Sequence, residues 1–321
     1  MIDLHVLRAW SGVVESPRVR VLTEDRVWEV SDRHGRRYAL KRVASNPASG
    51  IAPRFVDEAR IVSYLAQRGL PVAVPVLCDD GRVYAAEDGG IYALTPMLPA
   101  DFTLLGLLRD EALYHHTGAT LARMHVALAE CPYGIESPQV RPATFSEAWQ
   151  RLESGLPAAV FDGLAAYIEP WQEAIIHALD GPHRQRVHGD VHGANILTDD
   201  RQVTGIIDVD HLQLAPRSYD LGYYLAFWVH WALGRQEPDR VIQDGAMFVT
   251  RHLLAGYTTV TALSGRETGA LPALSLQVAL ALIDHYLNRH GIVEPSWIPT
   301  ARWISDHPET LAFHDRTEST A

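Results

Sequence analysis

Apolar and polar residues alternate with a period of two along the first third of the chain, and this pattern predicts strands. Residues 17–43 contain three such runs, of which the last two are separated by a polar turn at residues 32–35. Residues 83–86 and 91–95 flank a second turn, Asp-Gly-Gly at residues 88–90. The pattern therefore predicts an antiparallel three-strand meander, followed later by a hairpin.

Helical spacing of apolar residues predicts one helix inside this first region and a mostly helical remainder. Residues 53–69 form the early helix, which begins near Pro53 and ends at Gly69. The later helical segments are residues 113–128, 146–154, 157–179, 241–264 and 270–290. Pro170 is expected to break or kink the third of these. We expect an α+β fold with two domains, residues 1–98 and 99–321.

The polar residues with the clearest chemical character lie in a loop and in the hairpin that follows it. His188, Asp190 and Asn195 lie in the loop, residues 188–195, and Asp208 ends the second apolar run of the hairpin. This order predicts that two carboxylates and an amide oxygen lie close together. Such oxygen atoms suit Mg²⁺, which needs only one or two carboxylates besides substrate phosphates. Asp190 has the character of a positioned base rather than of a ligand.

The order His188-x-Asp190-x4-Asn195, followed by an apolar strand that ends in Asp208, resembles the catalytic and metal loops of protein-kinase-like folds. In detail it is similar to the aminoglycoside phosphotransferase, choline kinase and homoserine kinase branch. The resemblance implies that Asp190 is the catalytic base and that Asn195 and Asp208 bind Mg²⁺. It further implies that His188 supports the loop, in a bilobal fold with the nucleotide in the cleft.

Two residues of the first region gain a role only through this resemblance. Lys41 lies in the strand-like run 38–43 and matches the lysine that binds nucleotide phosphates, although a lone strand lysine is usually a solvated edge residue. Glu58 lies in the predicted helix and matches the carboxylate that pairs with this lysine. Its neighbour Asp57 could be confused with it, and both carboxylates could simply be solvated. Lys41 and Glu58 are thus the nucleotide-binding candidates.

The turn that corresponds to a glycine-rich phosphate loop, residues 22–28, contains no glycine. Backbone N–H groups can hold a phosphate without glycine, but close approach is harder. Glu24 and Asp25 would repel a triphosphate unless their side chains point outward. This departure leaves the choice between ATP and GTP open. It also motivates an alternative of another class, a nucleotide-binding pseudokinase with a regulatory role, against which the intact Asp190, Asn195 and Asp208 speak.

A rival interpretation of the polar loop is a dinuclear metal cluster. Residues 189–193 also fit the GDxHG opening of metal-dependent phosphoesterases, in which His192 and Asp210 would be further ligands. Such enzymes need additional Gly-Asp and Asn-His pairs downstream, and neither pair occurs in this chain. We therefore favour the kinase interpretation, with Asp210 beside the metal site rather than in it.

The segment after the hairpin adds a structural residue and an aromatic face. The resemblance implies that Asp220 ties the polar loop to a helix. Aromatic residues then recur at helical spacing and are expected to be core packing; they are Tyr224, Phe227, Trp228 and Trp231. His125, in the helix at residues 113–128, is expected to be a hydrogen-bonded core histidine.

Composition limits the partners of the chain. Its formal net charge of −11 argues against nucleic acid and is compatible with a cationic substrate. The two cysteines, Cys78 and Cys131, lack the spacing of a zinc site or a disulfide framework. We see no signal peptide at the start, and the most apolar stretch, residues 221–233, is too short to span a bilayer. We expect a cytoplasmic monomer or homodimer without membrane contact.

The expected reaction is transfer of the γ-phosphoryl group of ATP or GTP, with Mg²⁺, to a hydroxyl of a small molecule. Only residues 209–216 separate Asp208 from the Pro-x-x-Tyr-Asp segment, which argues against a protein substrate. The main hypothesis is an aminoglycoside or another amine-bearing, antibiotic-like acceptor. Homoserine, choline or a sugar is the alternative, and fold-level analogy does not decide between them.

Overall fold

The structure is a computed structural model that describes residues 4–45, 51–100, 110–134, 144–180, 184–199, 202–292 and 296–312. The chain divides into two compact units. The first contains the described residues of Met1–Ala100, Glu130–Gln139 and Thr204–Asp210. The second contains those of Asp101–Ala129, Val140–Val203 and His211–Ala321. The predicted domain boundary near residue 98 stays a prediction.

The first unit contains an antiparallel sheet with the strand order β1-β2-β3-β5-β4. Its strands are β1 Arg18–Thr23, β2 Val27–Ser31, β3 Arg37–Ala44, β4 Ala85–Glu87 and β5 Gly90–Pro96. The register places Trp28 opposite Leu40 and Val30 opposite Tyr38, and all four side chains are buried. The predicted meander and hairpin are confirmed, and pairing of β3 with β5 joins them into one sheet.

An N-terminal segment that the alternation pattern did not assign packs into the core of this sheet. Leu4–Trp10 forms a 3-10 helix, and the Trp10 side chain is fully buried. Its indole N–H donates to the Val76 carbonyl at 2.9 Å. The backbone N–H groups of Ser11 and Gly12 both donate to the Asp79 carboxylate. The shared apolar core consists of Val6, Leu7, Trp10, Val14, Trp28, Val30, Tyr38, Leu40, Cys78, Ala85, Tyr92 and Leu94.

The turn between β1 and β2 is tight although it lacks glycine. The N–H of Arg26 donates to the Thr23 carbonyl at 3.1 Å, and Asp25 has a φ of 52°. Aspartate tolerates this left-handed conformation better than most residues other than glycine. Asp25 therefore supplies the backbone conformation for which a glycine was expected.

Helix α1, Ile51–Gln67, confirms the predicted early helix, and the segment after it is bonded to the strand that precedes Asp208. The helix is followed by Gly69, whose φ of 79° turns the chain, a common way to end a helix. The Pro71 carbonyl then accepts a hydrogen bond of 2.7 Å from the N–H of Ile206. This bond fixes the backbone two residues before Asp208.

The region after the sheet is mainly helical, as predicted. Its helices are α2 Glu111–Glu130, α3 Phe145–Gly155, α4 Ala158–Ile168, α5 Gln172–Leu179, α6 Ser218–Gly234, α7 Asp239–Thr258, α8 Gly265–Gly269, α9 Leu271–His290 and α10 Ile298–Asp306. The 3-10 turn Glu169–Trp171 separates α4 from α5, which confirms the break at Pro170. Among the described helices, none is long and apolar enough to cross a membrane.

Short strand pairs hold the polar loop at both ends. β6, Arg184–Val187, precedes the loop and pairs with β9, Gln213–Pro216. β7, Ile196–Asp199, follows the loop and pairs with β8, Gln202–Ile206. The hairpin was predicted, whereas the pairing of β6 with β9 was not.

Helices α2 and α7 approach each other closely at two glycines. A Cβ atom on Gly118 would lie 1.9 Å from the Leu253 carbonyl oxygen. A Cβ atom on Gly256 would lie 1.8 Å from the His115 carbonyl oxygen. Because both obstacles are backbone atoms, even alanine would force the two helices apart.

We expect Gly256→Ala to lower the melting temperature of the chain. Overpacking of this kind costs about 1–3 kcal/mol or more, and each kcal/mol lowers the melting temperature of a chain of this size by roughly 2–4 °C. Gly163→Ala on α4 is the matched control, because a Cβ atom there has nothing within 4 Å. Thermal unfolding followed by circular dichroism compares the two variants, and equal melting temperatures would contradict the close approach of α2 and α7.

Candidate active site

The backbone of the polar loop is held by one buried carboxylate. Asp220, in the first turn of α6, accepts hydrogen bonds of 2.8 Å from the N–H groups of His188 and Gly189. The Nε2 atom of His125 lies 2.9 Å from the same carboxylate, and its Nδ1 atom lies 2.7 Å from the hydroxyl of Tyr257. These bonds confirm the structural role expected of Asp220 and the bonded core position expected of His125.

The charge of Asp220 is stabilised even though the side chain is fully buried. Burial raises the pKa of this carboxyl, but hydrogen bonds and positive charge outweigh the effect, so that the pKa lies below its usual value. The groups responsible are His125, His188 and the N–H of Gly189. Asp220 is therefore an ionised acceptor throughout the neutral pH range.

Gly189 is required by the path of the loop. Its φ is 83°, and a Cβ atom would lie 2.4 Å from the His211 carbonyl oxygen. A side chain at this position would push against the backbone that leads into β9. The glycine thus allows the close approach that places the next residue, Asp190.

Both carboxylate oxygens of Asp190 accept hydrogen bonds. The hydroxyl of Tyr223 donates to Oδ1 at 2.5 Å, and Nδ2 of Asn195 donates to Oδ2 at 2.9 Å. The same Nδ2 atom donates to the Asp190 carbonyl, also at 2.9 Å. Because the nitrogen of the Asn195 amide is used within the loop, its oxygen is the atom that it can offer to a cation.

The aromatic face of α6 contacts the polar loop instead of serving only as core. Phe227 stacks on the ring of His192, with centroids 4.6 Å apart, and the Trp231 ring meets His192 edge-on at 6.4 Å. Trp228 is buried, as expected of core packing.

Tyr223 contacts the polar loop as well, but the sequence analysis did not predict it as a site residue. Its signal is the spacing of three residues from Asp220, which puts both side chains on one side of a helix.

In the other unit, Lys41 lies between two carboxylates. Its Nζ atom is 2.8 Å from Oδ1 of Asp208 and 2.9 Å from Oδ2 of Asp210. Burial lowers the pKa of Lys41, but the two carboxylates outweigh burial and raise it above its usual value. The ammonium group therefore stays protonated and neutralises part of the negative charge at the end of β8.

Glu58 pairs with an arginine of its own helix and not with Lys41. The Nε atom of Arg54 donates to the Glu58 carboxylate at 2.6 Å, and Nη2 donates to the Asp210 carbonyl at 3.1 Å. The direct Lys41–Glu58 ion pair that the resemblance implied is absent between these two described side chains. Arg54 stands one turn before Glu58 and reaches it locally, whereas Lys41 has two closer carboxylates.

Burial dominates the electrostatics of Glu58. It raises the pKa of this carboxyl to about 7, because the neighbouring Arg54 and Lys41 offset only part of the desolvation cost and Asp210 adds to it. The side chain is almost fully buried. Glu58 is therefore a carboxyl that changes charge near neutral pH, at the centre of α1.

Asp208 has a left-handed backbone conformation and a side chain that suits a hard divalent cation. Its φ of 58° lies in the region that aspartate adopts more readily than most residues other than glycine. Together with Asp210 it places carboxylate oxygens around a single positive charge, here the Lys41 ammonium. No group of three or more His, Cys, Asp or Glu suited to a metal occurs in the described ranges. Mg²⁺ sites commonly use only one or two carboxylates plus substrate phosphates.

The candidate residues fall into two assembled sets. Asp190 and Asn195 are bonded to each other in the second unit. Lys41, Glu58 and Asp208 lie in the first unit, where Lys41 contacts Asp208 and Glu58 is joined to Asp210 through Arg54. A joint metal site of Asn195 and Asp208 stays a prediction.

Comparison with known proteins agrees with this picture. Residues 18–257 match the phosphotransferase enzyme family, APH. Homoserine kinase from Acidiphilium cryptum (strain JF-5) is 28% identical over 260 residues, which cover 77% of this chain and 75% of that protein.

Two solved structures show the same fold. Amicoumacin kinase hAmiN in complex with AMP-PNP, Ca²⁺ and Ami has a TM-score of 0.72 at 18% identity, with 98% of this chain and 96% of that chain covered. The microcompartment-associated aminopropanol kinase has a TM-score of 0.69 at 16% identity, with 94% of each chain covered. The predicted fold class, an antiparallel sheet region followed by a helical region, is thereby confirmed.

Glu58→Gln is expected to change the pH dependence of stability. The folded-state pKa of about 7 exceeds the ordinary value of 4.5, so the folded chain holds this proton more tightly than the unfolded chain does. Ionisation of Glu58 therefore costs stability progressively as the pH rises from 4.5 to 7, and the full cost persists above 7. Glutamine removes the cost.

The measurement is the melting temperature of wild type and variant between about pH 5 and about pH 8. The variant should gain stability relative to wild type as the pH rises. Glu130→Gln, which removes an exposed carboxylate paired with Arg68, is the control for loss of a surface charge. A Glu58→Gln difference that is constant across this range would show that Glu58 is ionised throughout.

Proposed function

This chain belongs to the phosphotransferase enzyme family, and on that basis we propose that it is a homoserine kinase, which transfers the γ-phosphoryl group of ATP to the side-chain hydroxyl of homoserine. The family that the 188–210 motif resembled is confirmed. The chain is a phosphotransferase with an alcohol group of a small molecule as acceptor. The choice of homoserine rests on one observation, the likeness to the homoserine kinase of Acidiphilium cryptum along 77% of this chain.

An aminoglycoside acceptor, which was our main hypothesis from the sequence, has less support than homoserine. The likeness to amicoumacin kinase, at 18% identity, extends to the fold alone. Homoserine and aminopropanol are both compact molecules that carry an amine and a hydroxyl group. A net charge of −11 is compatible with any amine-bearing acceptor and does not favour the larger ones.

The short connection after Asp208 also supports a small acceptor. The 3-10 turn Val209–His211 is followed almost at once by strand β9, Gln213–Pro216, and α6 begins at Ser218. Between Asp208 and α6, only Leu212 and Arg217 lie outside a helix, 3-10 turn or strand. It therefore leaves no extended segment of the kind on which a protein substrate could lie.

In this proposal, Asp190 accepts the proton of the homoserine hydroxyl as that oxygen bonds to the γ-phosphorus, while the bond from the γ-phosphorus to the β–γ bridging oxygen breaks and ADP leaves. Asn195 and Asp208 are the residues that would hold Mg²⁺, and the cation would supply positive charge to the phosphates. Lys41 binds the phosphate chain, and Glu58 acts on the nucleotide site through Arg54 rather than through Lys41. The amicoumacin kinase complex, which contains AMP-PNP and Ca²⁺, supports ATP and a divalent cation as the co-reactants.

The test of the acceptor is phosphoryl transfer by the full chain with Mg-ATP and, separately, Mg-GTP. The acceptors are homoserine, aminopropanol, choline, a free sugar and an aminoglycoside, with Asp190→Ala as the blank. We expect nucleoside diphosphate release that depends on homoserine, with a kcat/KM at least about tenfold above the other acceptors, a difference of 1.4 kcal/mol in transition-state binding. Preference for the aminoglycoside would restore the first hypothesis.

The same assay also tests the alternative that this chain is a nucleotide-binding pseudokinase. A pseudokinase would bind Mg-nucleotide, which calorimetry measures directly, but would release no more diphosphate than the Asp190→Ala blank with any acceptor. We expect instead that the wild-type chain turns over.

Two variants are expected to separate the roles of base and metal ligand. Asp190→Ala should lower kcat by about 10²–10⁴-fold, the usual contribution of a general base, and leave the Kd of Mg-ATP nearly unchanged. Asp208→Asn should weaken binding of Mg-ATP but change binding of metal-free ATP much less, because a charged oxygen ligand is lost. Equal losses of Mg-ATP binding in both variants would contradict these assignments.

A further inference from the structure

We propose that Tyr223 is a positioning residue that fixes the carboxylate of Asp190 in the orientation from which it accepts the acceptor's proton. The inference rests on the proposed role of Asp190 as the base. It does not depend on which hydroxyl compound is the acceptor. The hydroxyl of Tyr223 contacts Asp190 and acts on the reaction only through it.

The first argument is the two-point attachment of Asp190. A carboxylate that is bonded at one oxygen can still rotate about its Cβ–Cγ bond. Asp190 is bonded at both, since Tyr223 donates to Oδ1 and Asn195 donates to Oδ2. Each carboxylate oxygen has two lone pairs, so the attached group can still accept a proton from a substrate hydroxyl. Loss of one bond frees the rotation without removing the base.

The second argument is that Tyr223 can act only as a donor here. Burial and the adjacent Asp190 carboxylate raise the pKa of the Tyr223 phenol far above its usual value. The hydroxyl therefore keeps its proton, and its oxygen lies 2.5 Å from Oδ1 of Asp190. A hydrogen bond from a neutral donor to a charged acceptor is about twice as strong as one between neutral groups.

The third argument is that the tyrosine is itself rigid. Its side chain is buried, and its ring stacks on Phe227 with centroids 5.1 Å apart and planes at 14°. Tyr219, one turn earlier, packs against it with centroids 6.2 Å apart. Because the Tyr223 hydroxyl is held in place on α6, it also holds the Asp190 carboxylate in a fixed position relative to that helix.

Helix α6 thus fixes both the backbone of the polar loop and the side chain of Asp190. Asp220 holds the loop backbone at His188 and Gly189, and Tyr223, one turn later on α6, holds the side chain of Asp190. If Tyr223 served only for packing, its hydroxyl would be dispensable, because phenylalanine keeps the ring and its stacking. The hydroxyl is therefore the group to remove.

The test uses Tyr223→Phe in the full chain, with the acceptor that gives the highest turnover in the panel described above. We expect kcat to fall by roughly 10–100-fold, since small misplacement of a catalytic group costs up to about 10²-fold. The KM values for acceptor and Mg-ATP should stay close to those of wild type, and the melting temperature should fall by only a few degrees, which is the cost of one lost hydrogen bond to a charged acceptor. Tyr224→Phe, at the adjacent position of α6 where the ring meets Tyr114, is the matched control and should resemble wild type.

A double-mutant cycle with Asp190→Ala shows whether Tyr223 acts through the base. Tyr223→Phe should cause no further loss in the Asp190→Ala background. A Tyr223→Phe variant with wild-type kcat, or an equal loss in both backgrounds, would overturn the inference while the kinase assignment stands. An Asp190→Ala chain with full activity would overturn the proposed base and this inference together. Absence of homoserine phosphorylation with turnover of another acceptor would overturn only the choice of acceptor.

Discussion

The buried carboxylate of Asp220 accepts hydrogen bonds from two successive backbone N–H groups, those of His188 and Gly189, and contacts His125. These partners compensate the desolvation of a charge that would otherwise be costly in the protein interior. The same contact ties three parts of the second unit together: α6, the polar loop and α2. His125 extends the network to Tyr257 of α7, close to the point where α2 and α7 meet at glycines. The position of Asp190 therefore depends on packing well away from it.

In the first unit, carboxylates lie close together at the place where a negatively charged polyphosphate is proposed to bind, so their charge must be balanced. Asp208 and Asp210 share the Lys41 ammonium, and Arg54 pairs with Glu58 while it also donates to the Asp210 carbonyl. Binding of a nucleotide with its cation would add both signs of charge at once. In the proposed nucleotide complex, Lys41 would exchange carboxylate oxygens for phosphate oxygens, with little change in the net charge around it.

The spacing of apolar residues was sufficient to predict most helices and strands, because these elements are long or are bounded by recognisable turn residues. The early helix was placed at residues 53–69 and spans Ile51–Gln67. The N-terminal 3-10 helix and the pairing of β6 with β9 were missed, since short elements depend on partners distant in sequence. In the site, the Lys41–Glu58 pair was expected by analogy, but it depends on side-chain reach, and Arg54 is closer to Glu58. Tyr223 was hidden because it adjoins an aromatic face that was interpreted as core.

The N-terminal segment has a consequence for where this protein can be cut or fused. The match to the phosphotransferase enzyme family covers residues 18–257 and therefore begins after Trp10 and the turn that Asp79 holds. A gene that starts at residue 18 would still encode every residue proposed for catalysis, yet its product would lack Val6, Leu7 and Trp10, which belong to the apolar core of the sheet. The apolar surface that these side chains cover would then face water, and exposed apolar patches of this kind favour association. The start of the family match and the start of the folded unit are thus different positions in this chain.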